Sequence, residues 1–168
     1  GPAVRIIGDI LIISTFAAIM PDNQKTIKDP CSLTGVGLHT GKEVTLTFRP
    51  APTHHGIKFI RVDLENRPEI CALVENVVDT ARGTSIAENG AKVQTVEHVL
   101  AAVAGTGIDN LIIEVNQAET PIMDGSARFF IEALEKCGIR EQDAPREYLE
   151  LRTPVFYEEP EHKIEMVA

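Results

Sequence analysis

The dipeptide Asn89-Gly90 most restricts the fold open to this chain. Asn-Gly supplies the two positive-φ positions of a type I′ turn, so residues 84–88 and 91–95 are expected to pair as a β-hairpin. The periodicity then changes. Thr95 reads as an N-cap, and Val96, Val99, Leu100 and Val103 recur at i, i+3, i+4 and i+7, one face of a helix that Gly105 and Gly107 stop. Upstream, residues 43–49 alternate, with Val44, Leu46 and Phe48 on one face and Thr45 and Thr47 on the other. Pro50-Ala51-Pro52 ends that strand, and residues 57–64 read as the next, with Ile57, Phe59 and Ile60 as core candidates. Downstream, residues 111–115 read as a buried strand. Asp124-Gly125-Ser126 then turns the chain into a second helix over residues 127–137, with Phe130, Ala133, Leu134 and Cys137 inward and Gly138 just past its end. Strands and two helices without regular βαβ alternation imply an α+β fold, with helices packed on a sheet.

The chain ends are less regular. Tyr148-Leu149-Glu150-Leu151 and residues 162–167 alternate like strands joined by a loop around Glu158-Glu159-Pro160, and the second strand runs to Ala168 without a partner. A second domain cut short is expected there. Residues 1–20 look foreign to the rest: Gly1-Pro2 is not a natural start, and the apolar stretch is interrupted by Asp9 and too short for a confident membrane span. Met20 reads as the native start. The 168 residues, 43% of them hydrophobic, suffice for one ordinary domain but not two full ones. A net charge of -9 without any basic cluster argues against nucleic-acid binding, which relies on Lys and Arg against phosphates. Cys31, Cys71 and Cys137 form no CxxC pattern and read as free thiols in a reducing cytoplasm.

Chemistry concentrates in three stretches. Thr95-Val96-Glu97-His98-Val99 opens the first helix with a carboxylate beside an imidazole. Adjacent helix positions point about 100° apart, so the two side chains flank a site from two sides instead of meeting one atom head-on. The positive helix end disfavours imidazolium and favours ionised Glu97, leaving His98 neutral for a metal and Glu97 ready to accept a proton. Taken alone, the dipeptide is better explained as a capped, solvated first turn with no ligand, since one His is not a zinc site. Gly35-Val36-Gly37-Leu38-His39-Thr40-Gly41 is neither a Walker loop nor a dinucleotide fingerprint. It reads as a tight turn, with His39 a polar contact or a turn residue. Pro121-Ile122-Met123-Asp124-Gly125-Ser126 reads as a turn and cap, Asp124 or Ser126 bonding the first N–H groups of the second helix. His54-His55 sits in a loop and His162 in the terminal strand, with nothing nearby to complete a site.

Together with Gly107-Ile108-Asp109-Asn110, these stretches resemble, in order, the zinc-dependent UDP-3-O-acyl-N-acetylglucosamine deacetylases of lipid A biosynthesis. The resemblance covers residues 25–168. It implies two similar two-layer α/β sandwich domains, helices on a mixed sheet, with the active site between them. Residues 21–145 would be the first domain, 146–168 the opening strands of a truncated second, and 1–20 a non-native leader. It further implies that His98 is the zinc ligand of the first domain and Glu97 the general base. Asp79 and Thr80 fall in the segment before the hairpin that lies near the family's active site, where Ala81-Arg82-Gly83 departs from more apolar or Cys-containing versions. His39 and Asp124 match family motif positions and are carried as supporting residues. The family's other zinc ligands, a His and an Asp, and its Thr, Lys and second His come from the second domain. The implied substrate is UDP-3-O-acyl-N-acetylglucosamine, the cofactor Zn2+, the location cytoplasmic without a membrane span, and the partner the missing C-terminal domain. In some bacteria the family is fused to a 3-hydroxyacyl-carrier-protein dehydratase. This chain alone is then expected to be inactive. The alternatives are a non-catalytic binding module that reuses the fold, and a stand-alone small hydrolase that completes its zinc site from His39, His54, His55 or by dimerising.

Overall fold

The structure is a computed structural model that describes residues 3–7, 10–14, 22–159, 161 and 163–167. His162 and Pro160 lie outside the described residues. The strands are β1 (Ala3–Ile7), β2 (Ile10–Ser14), β3 (Asn23–Ile27), β4 (Cys31–Val36), β5 (Glu43–Pro50), β6 (Ile57–Arg61), β7 (Glu69–Cys71), β8 (Val77–Asp79), β9 (Ser85–Glu88), β10 (Ala91–Gln94), β11 (Leu111–Val115), β12 (Ile139–Pro145), β13 (Phe156–Glu159) and β14 (Ile164–Val167). The helices are α1 (Glu97–Gly105) and α2 (Arg128–Cys137). Among the described residues the fold is α+β, as expected, and no helix is long and apolar enough to cross a membrane.

The main sheet is mixed, in the order β4-β5-β11-β6-β7, with only β11 and β6 parallel. Its registers put Cys31, Phe48, Ile113, Phe59 and Ile70 opposite one another in a row across all five strands. Phe48, Ile113, Phe59 and Ile70 are fully buried. The other face is polar: Ser32 and Thr47 hydroxyls bond at 2.8 Å, Thr34 and Thr45 at 3.0 Å, and Arg49 meets Glu114 at 2.7 Å. Because side chains alternate with a period of two, a one-residue slip of β5 would put its phenylalanine among hydroxyls, so the register is strongly specified. Both helices close over the apolar face. Val99, Ala102 and Val103 of α1 join one buried cluster with Phe130 and Leu134 of α2, and the hairpin β9–β10 adds Ile86 and Val93. That hairpin turns at Asn89 (φ 52°) and Gly90 (φ 75°), as expected of the pair.

Four readings need correction. The strand read over 57–64 ends at Arg61, and Ile60 lies outside the core. Arg61 is buried, with its guanidinium clamped by Asp63 (2.8 and 2.7 Å) and donating to the Lys92 carbonyl, and the chain turns through Asn66 and Arg67 at positive φ. Residues 148–151 form no strand; Tyr148, Leu149 and Leu151 are exposed, and β13 starts at Phe156 instead. Thr95 is not an N-cap; it stands at φ 60° and its hydroxyl is spent elsewhere. The cysteines are not three free thiols: Cys31 pairs with Cys137 as a disulfide, while Cys71 stays free. These two cysteines, 106 residues apart, meet at a Cα–Cα distance of 5.8 Å because α2 ends against β4, a proximity no spacing pattern encodes.

Gly107-Ile108-Asp109-Asn110 serves the fold. Asn110 is buried; its Oδ1 accepts the Gly56 N–H at 2.9 Å and its Nδ2 donates to Gln24 and Gln142, both at 2.9 Å. Asp109 accepts the Lys25 N–H and the Arg146 guanidinium, both at 2.8 Å. Two outcomes follow from this architecture. Phe48→Ala should lose about 3–5 kcal/mol, the usual cost of emptying a buried phenylalanine site, measured by urea unfolding, whereas Leu149→Ala should be nearly neutral. Thiol titration of the denatured, unreduced protein should find Cys71 alone, and all three cysteines after reduction; three thiols before reduction would disprove the pairing.

Candidate active site

The start of α1 is built by its neighbours, not by a cap of its own. Val96 N–H donates to the Thr84 carbonyl at 3.2 Å, and Thr84 N–H donates to Glu97 Oε2 at 3.0 Å. The β8–β9 connection is thus stitched to both the backbone and the carboxylate at the helix start. Gly83 lies directly against that carboxylate: at φ 144°, a Cβ there would come 3.0 Å from Glu97 Oε1. His98 follows with its Nδ1 buried and without a hydrogen-bond partner. A buried imidazole nitrogen left unpaired costs about 1–3 kcal/mol of desolvation unless something else meets it. It is a donor atom in search of a proton or a metal, and in that respect the residue fits a zinc ligand. Among the described residues, however, no group of three or more His, Cys, Asp or Glu side chains is placed to hold a metal ion.

Next to the helix start lies a cavity of about 200 Å³ lined by His39, Asp79, Arg82, Gly83, Ser85 and Thr95, among others. His39 Nε2 donates to the Arg82 carbonyl at 3.1 Å, which fixes the proton on that nitrogen. Asp79 Oδ1 accepts the Ala81 N–H at 3.0 Å, and Thr80 is exposed in the same connection. The structure therefore brings His39, Asp79 and Thr80 to the neighbourhood of Glu97, although Glu97 and His98 do not line the cavity themselves. Asp124 is not brought there. It lines a separate, largely apolar groove with Val36, Ile122, Met123 and Phe129. Its Oδ1 accepts the Ser126 hydroxyl (2.7 Å) and N–H (3.1 Å), bonds that hold its carboxyl below the usual range with help from Arg128. Ser126 Oγ in turn accepts the Arg128 N–H at 3.2 Å, so the capping expected of this motif is present. His54 bonds Gln24 and Glu147, and His55 contacts its neighbouring Gly56 carbonyl; neither approaches His98.

The residue that the sequence reading missed is Glu119. It has no exposed surface. Its oxygens accept the N–H of His39 (3.0 and 3.2 Å), the N–H of Thr40 (2.8 Å) and the hydroxyl of Thr95 (3.0 Å). Burial pushes its carboxyl up, but the His39 and Thr40 N–H groups and the Thr40 and Thr95 hydroxyls outweigh this and hold it below its usual value. Gly37 completes the cradle, since a Cβ there would lie 2.5 Å from Glu119 Oε2. No local pattern marks this glutamate, because its partners lie 80, 79 and 24 residues away.

A depressed folded-state pKa means that Glu119 contributes stability above its ordinary value of 4.5, and that this contribution is lost as pH falls through the lower folded value. The gap in Tm between wild type and Glu119→Gln should therefore be widest near neutral pH and narrow below pH 4.5. A gap that widens on acidification would show that the carboxylate is not ionised in the folded protein.

The sequence model of the family described as LpxC, UDP-3-O-acyl N-acetylglycosamine deacetylase, matches residues 24–168. The UDP-3-O-acyl-N-acetylglucosamine deacetylase of Myxococcus xanthus is 53% identical over 133 residues, 79% of this chain and 42% of that protein. The enzyme of that name from a Psychrobacter species is 47% identical over 132 residues, covering 79% and 44%. The bifunctional enzyme LpxC/FabZ of Chlorobaculum tepidum is 48% identical over 146 residues, covering 87% and 31%. The chain thus spans less than half the length of these relatives. With the family match running over most of its residues, the chain belongs to the UDP-3-O-acyl-N-acetylglucosamine deacetylases.

Proposed function

We propose that this chain supplies the Glu97-His98 half of a zinc-dependent deacetylase that hydrolyses the acetamide of UDP-3-O-acyl-N-acetylglucosamine in the cytoplasm, releasing acetate for lipid A biosynthesis. The observation that carries the reading is the unpartnered, buried His98 Nδ1 beside a carboxylate held by the Thr84 N–H. An unsatisfied imidazole nitrogen is expensive unless a ligand meets it, and a non-catalytic module would have no reason to keep one. On this reading residues 21–145 form the first of two similar two-layer sandwiches. The remaining ligands come from the second.

His98 would hold the metal with one ring nitrogen. Bound zinc lowers the pKa of a water and polarises the acetyl carbonyl. Glu97 takes a proton from the attacking water. The Thr84 N–H occupies Oε2, which leaves Oε1 as the proton acceptor. Gly83 leaves room beside that oxygen, since a Cβ there would come 3.0 Å from it. The hydroxyl adds to the acetyl carbon and the proton passes to the departing nitrogen, so the amide bond breaks into acetate and the glucosamine amine. His39, Asp79 and Thr80 are candidate contacts to substrate or site, and Asp124 supports the second helix at the neighbouring groove.

In the full-length enzyme the two roles separate. Glu97→Gln keeps the shape and removes the base, so zinc should stay near about one per chain while kcat falls about 10²–10⁴-fold. His98→Ala should lose zinc and activity together. Metal analysis with steady-state kinetics on both variants checks this. Retention of more than about a third of wild-type kcat by Glu97→Gln would remove Glu97 from the base role. The 168-residue chain alone is expected to retain little zinc on dialysis, since its described residues offer one ligand where a catalytic site takes about three.

A further inference from the structure

A buried carboxylate is tolerated only when its charge is met. Among the described residues Glu119 forms no ion pair, and meets that need with two backbone N–H groups and the hydroxyls of Thr40 and Thr95. The N–H groups and the Thr40 hydroxyl belong to the 37–41 turn, and the other hydroxyl belongs to Thr95, two residues before Glu97. Thr95 is β-branched and stands at φ 60°, a conformation that costs about 1–3 kcal/mol and persists only when its surroundings over-determine it. Those surroundings are the segment carrying Glu119. Gln94 N–H donates to the Ala118 carbonyl at 2.8 Å, Thr120 N–H to the Gln94 carbonyl at 3.1 Å, and the Thr120 hydroxyl to the Thr95 carbonyl at 2.5 Å. On the far side, His39 reaches the Arg82 carbonyl, and the next two residues, Gly83 and Thr84, seat the Glu97 carboxylate. A closed circuit results, from Glu119 through the turn, His39, Arg82 to Thr84, Glu97 and Thr95 back to Glu119.

We propose that Glu119 is a positioning residue of the site: its buried carboxylate ties the 37–41 turn to the left-handed Thr95, and so fixes His39 and the Glu97-His98 helix start relative to each other. The reading of Glu97 and His98 as the reacting pair underlies this. Glu119 touches neither of them and acts through the two segments it joins. Gln cannot replace it in full, because its amide nitrogen offers no acceptor to the Thr40 or His39 N–H that the second carboxylate oxygen receives.

The test is nuclear magnetic resonance of the 15N-labelled chain, comparing wild type, Glu119→Gln and a control, Ile113→Val, in the buried row of the main sheet. The Thr84 amide and the His98 ring nitrogens are expected to shift in Glu119→Gln and to stay in place in the control, even at equal loss of Tm. Should Glu119→Gln not fold, Gly37→Ala gives the same reading with the carboxylate kept, since its Cβ would press on Glu119 Oε2. In the full-length enzyme, kcat should fall about 10²-fold, the cost of a small misplacement, with KM unchanged. Folded variants whose Thr84 and His98 signals match wild type, or whose kcat is intact, overturn the proposal. A wild-type enzyme without deacetylase activity would refute the proposed function, yet leave the resonance comparison standing.

Discussion

The geometry at the start of α1 depends on a backbone that would not hold itself. A threonine at φ 60° interrupts the path from the β9–β10 hairpin into the helix and re-aims the chain just before Glu97. Thr95 is nearly fully buried, with its hydroxyl bonded to Glu119 and its carbonyl to Thr120. Without those bonds the left-handed conformation has nothing to offset its cost, and the helix would begin in another direction. The site is therefore set by a tertiary contact between the 94–97 and 118–120 segments. Intrinsic helix signals play little part at this helix start, since its nominal cap residue, Val96, makes no side-chain cap bond.

Packing makes this contact stiff. The row from Cys31 to Ile70 runs across all five strands of the main sheet and buries phenylalanines on two of them. Residues 118–120 leave β11 from the middle of that sheet, whereas residues 37–41 leave β4 at its edge. Glu119 thus bridges segments that a register slip would separate, and the alternation of apolar and hydroxyl faces resists such a slip. Among the described residues, His98 Nδ1 is the one buried side-chain nitrogen or oxygen without a hydrogen-bond partner, and it lies on the helix this frame holds. A frame that meets its other buried polar needs and leaves this one unmet has its open valence where a ligand would be expected.

Local patterns carried part of this into the sequence. Alternation marked β5, Asn89-Gly90 marked the hairpin, and the inward face of α2 matched residue for residue at Phe130, Ala133, Leu134 and Cys137. Each depends on neighbours within a few positions. What failed depended on distant ones. Thr95 has the composition of a cap, but its hydroxyl is claimed by a glutamate 24 residues on. Residues 148–151 alternate properly and still form no strand, because alternation creates a strand only where a partner edge is free. Ile60 lies between the buried Phe59 and Arg61, and the burial of Arg61 rests on its clamp from Asp63, which an apolar pattern does not show. Motif order singled out Glu97, His98 and His39 as candidates but gave no sign of Glu119, since burial of a charge is visible only once its donors are in place.

The central claim is that the open nitrogen of His98 is there for a metal. Anomalous diffraction at the zinc edge, from crystals of the full-length protein grown with zinc, tests it most directly. The account predicts a zinc peak about 2.0–2.1 Å from a ring nitrogen of His98, the usual length of a zinc–imidazole bond. A zinc ion bound at the active site without contact to His98, or a His98 ring hydrogen-bonded to protein at both nitrogens, would contradict it.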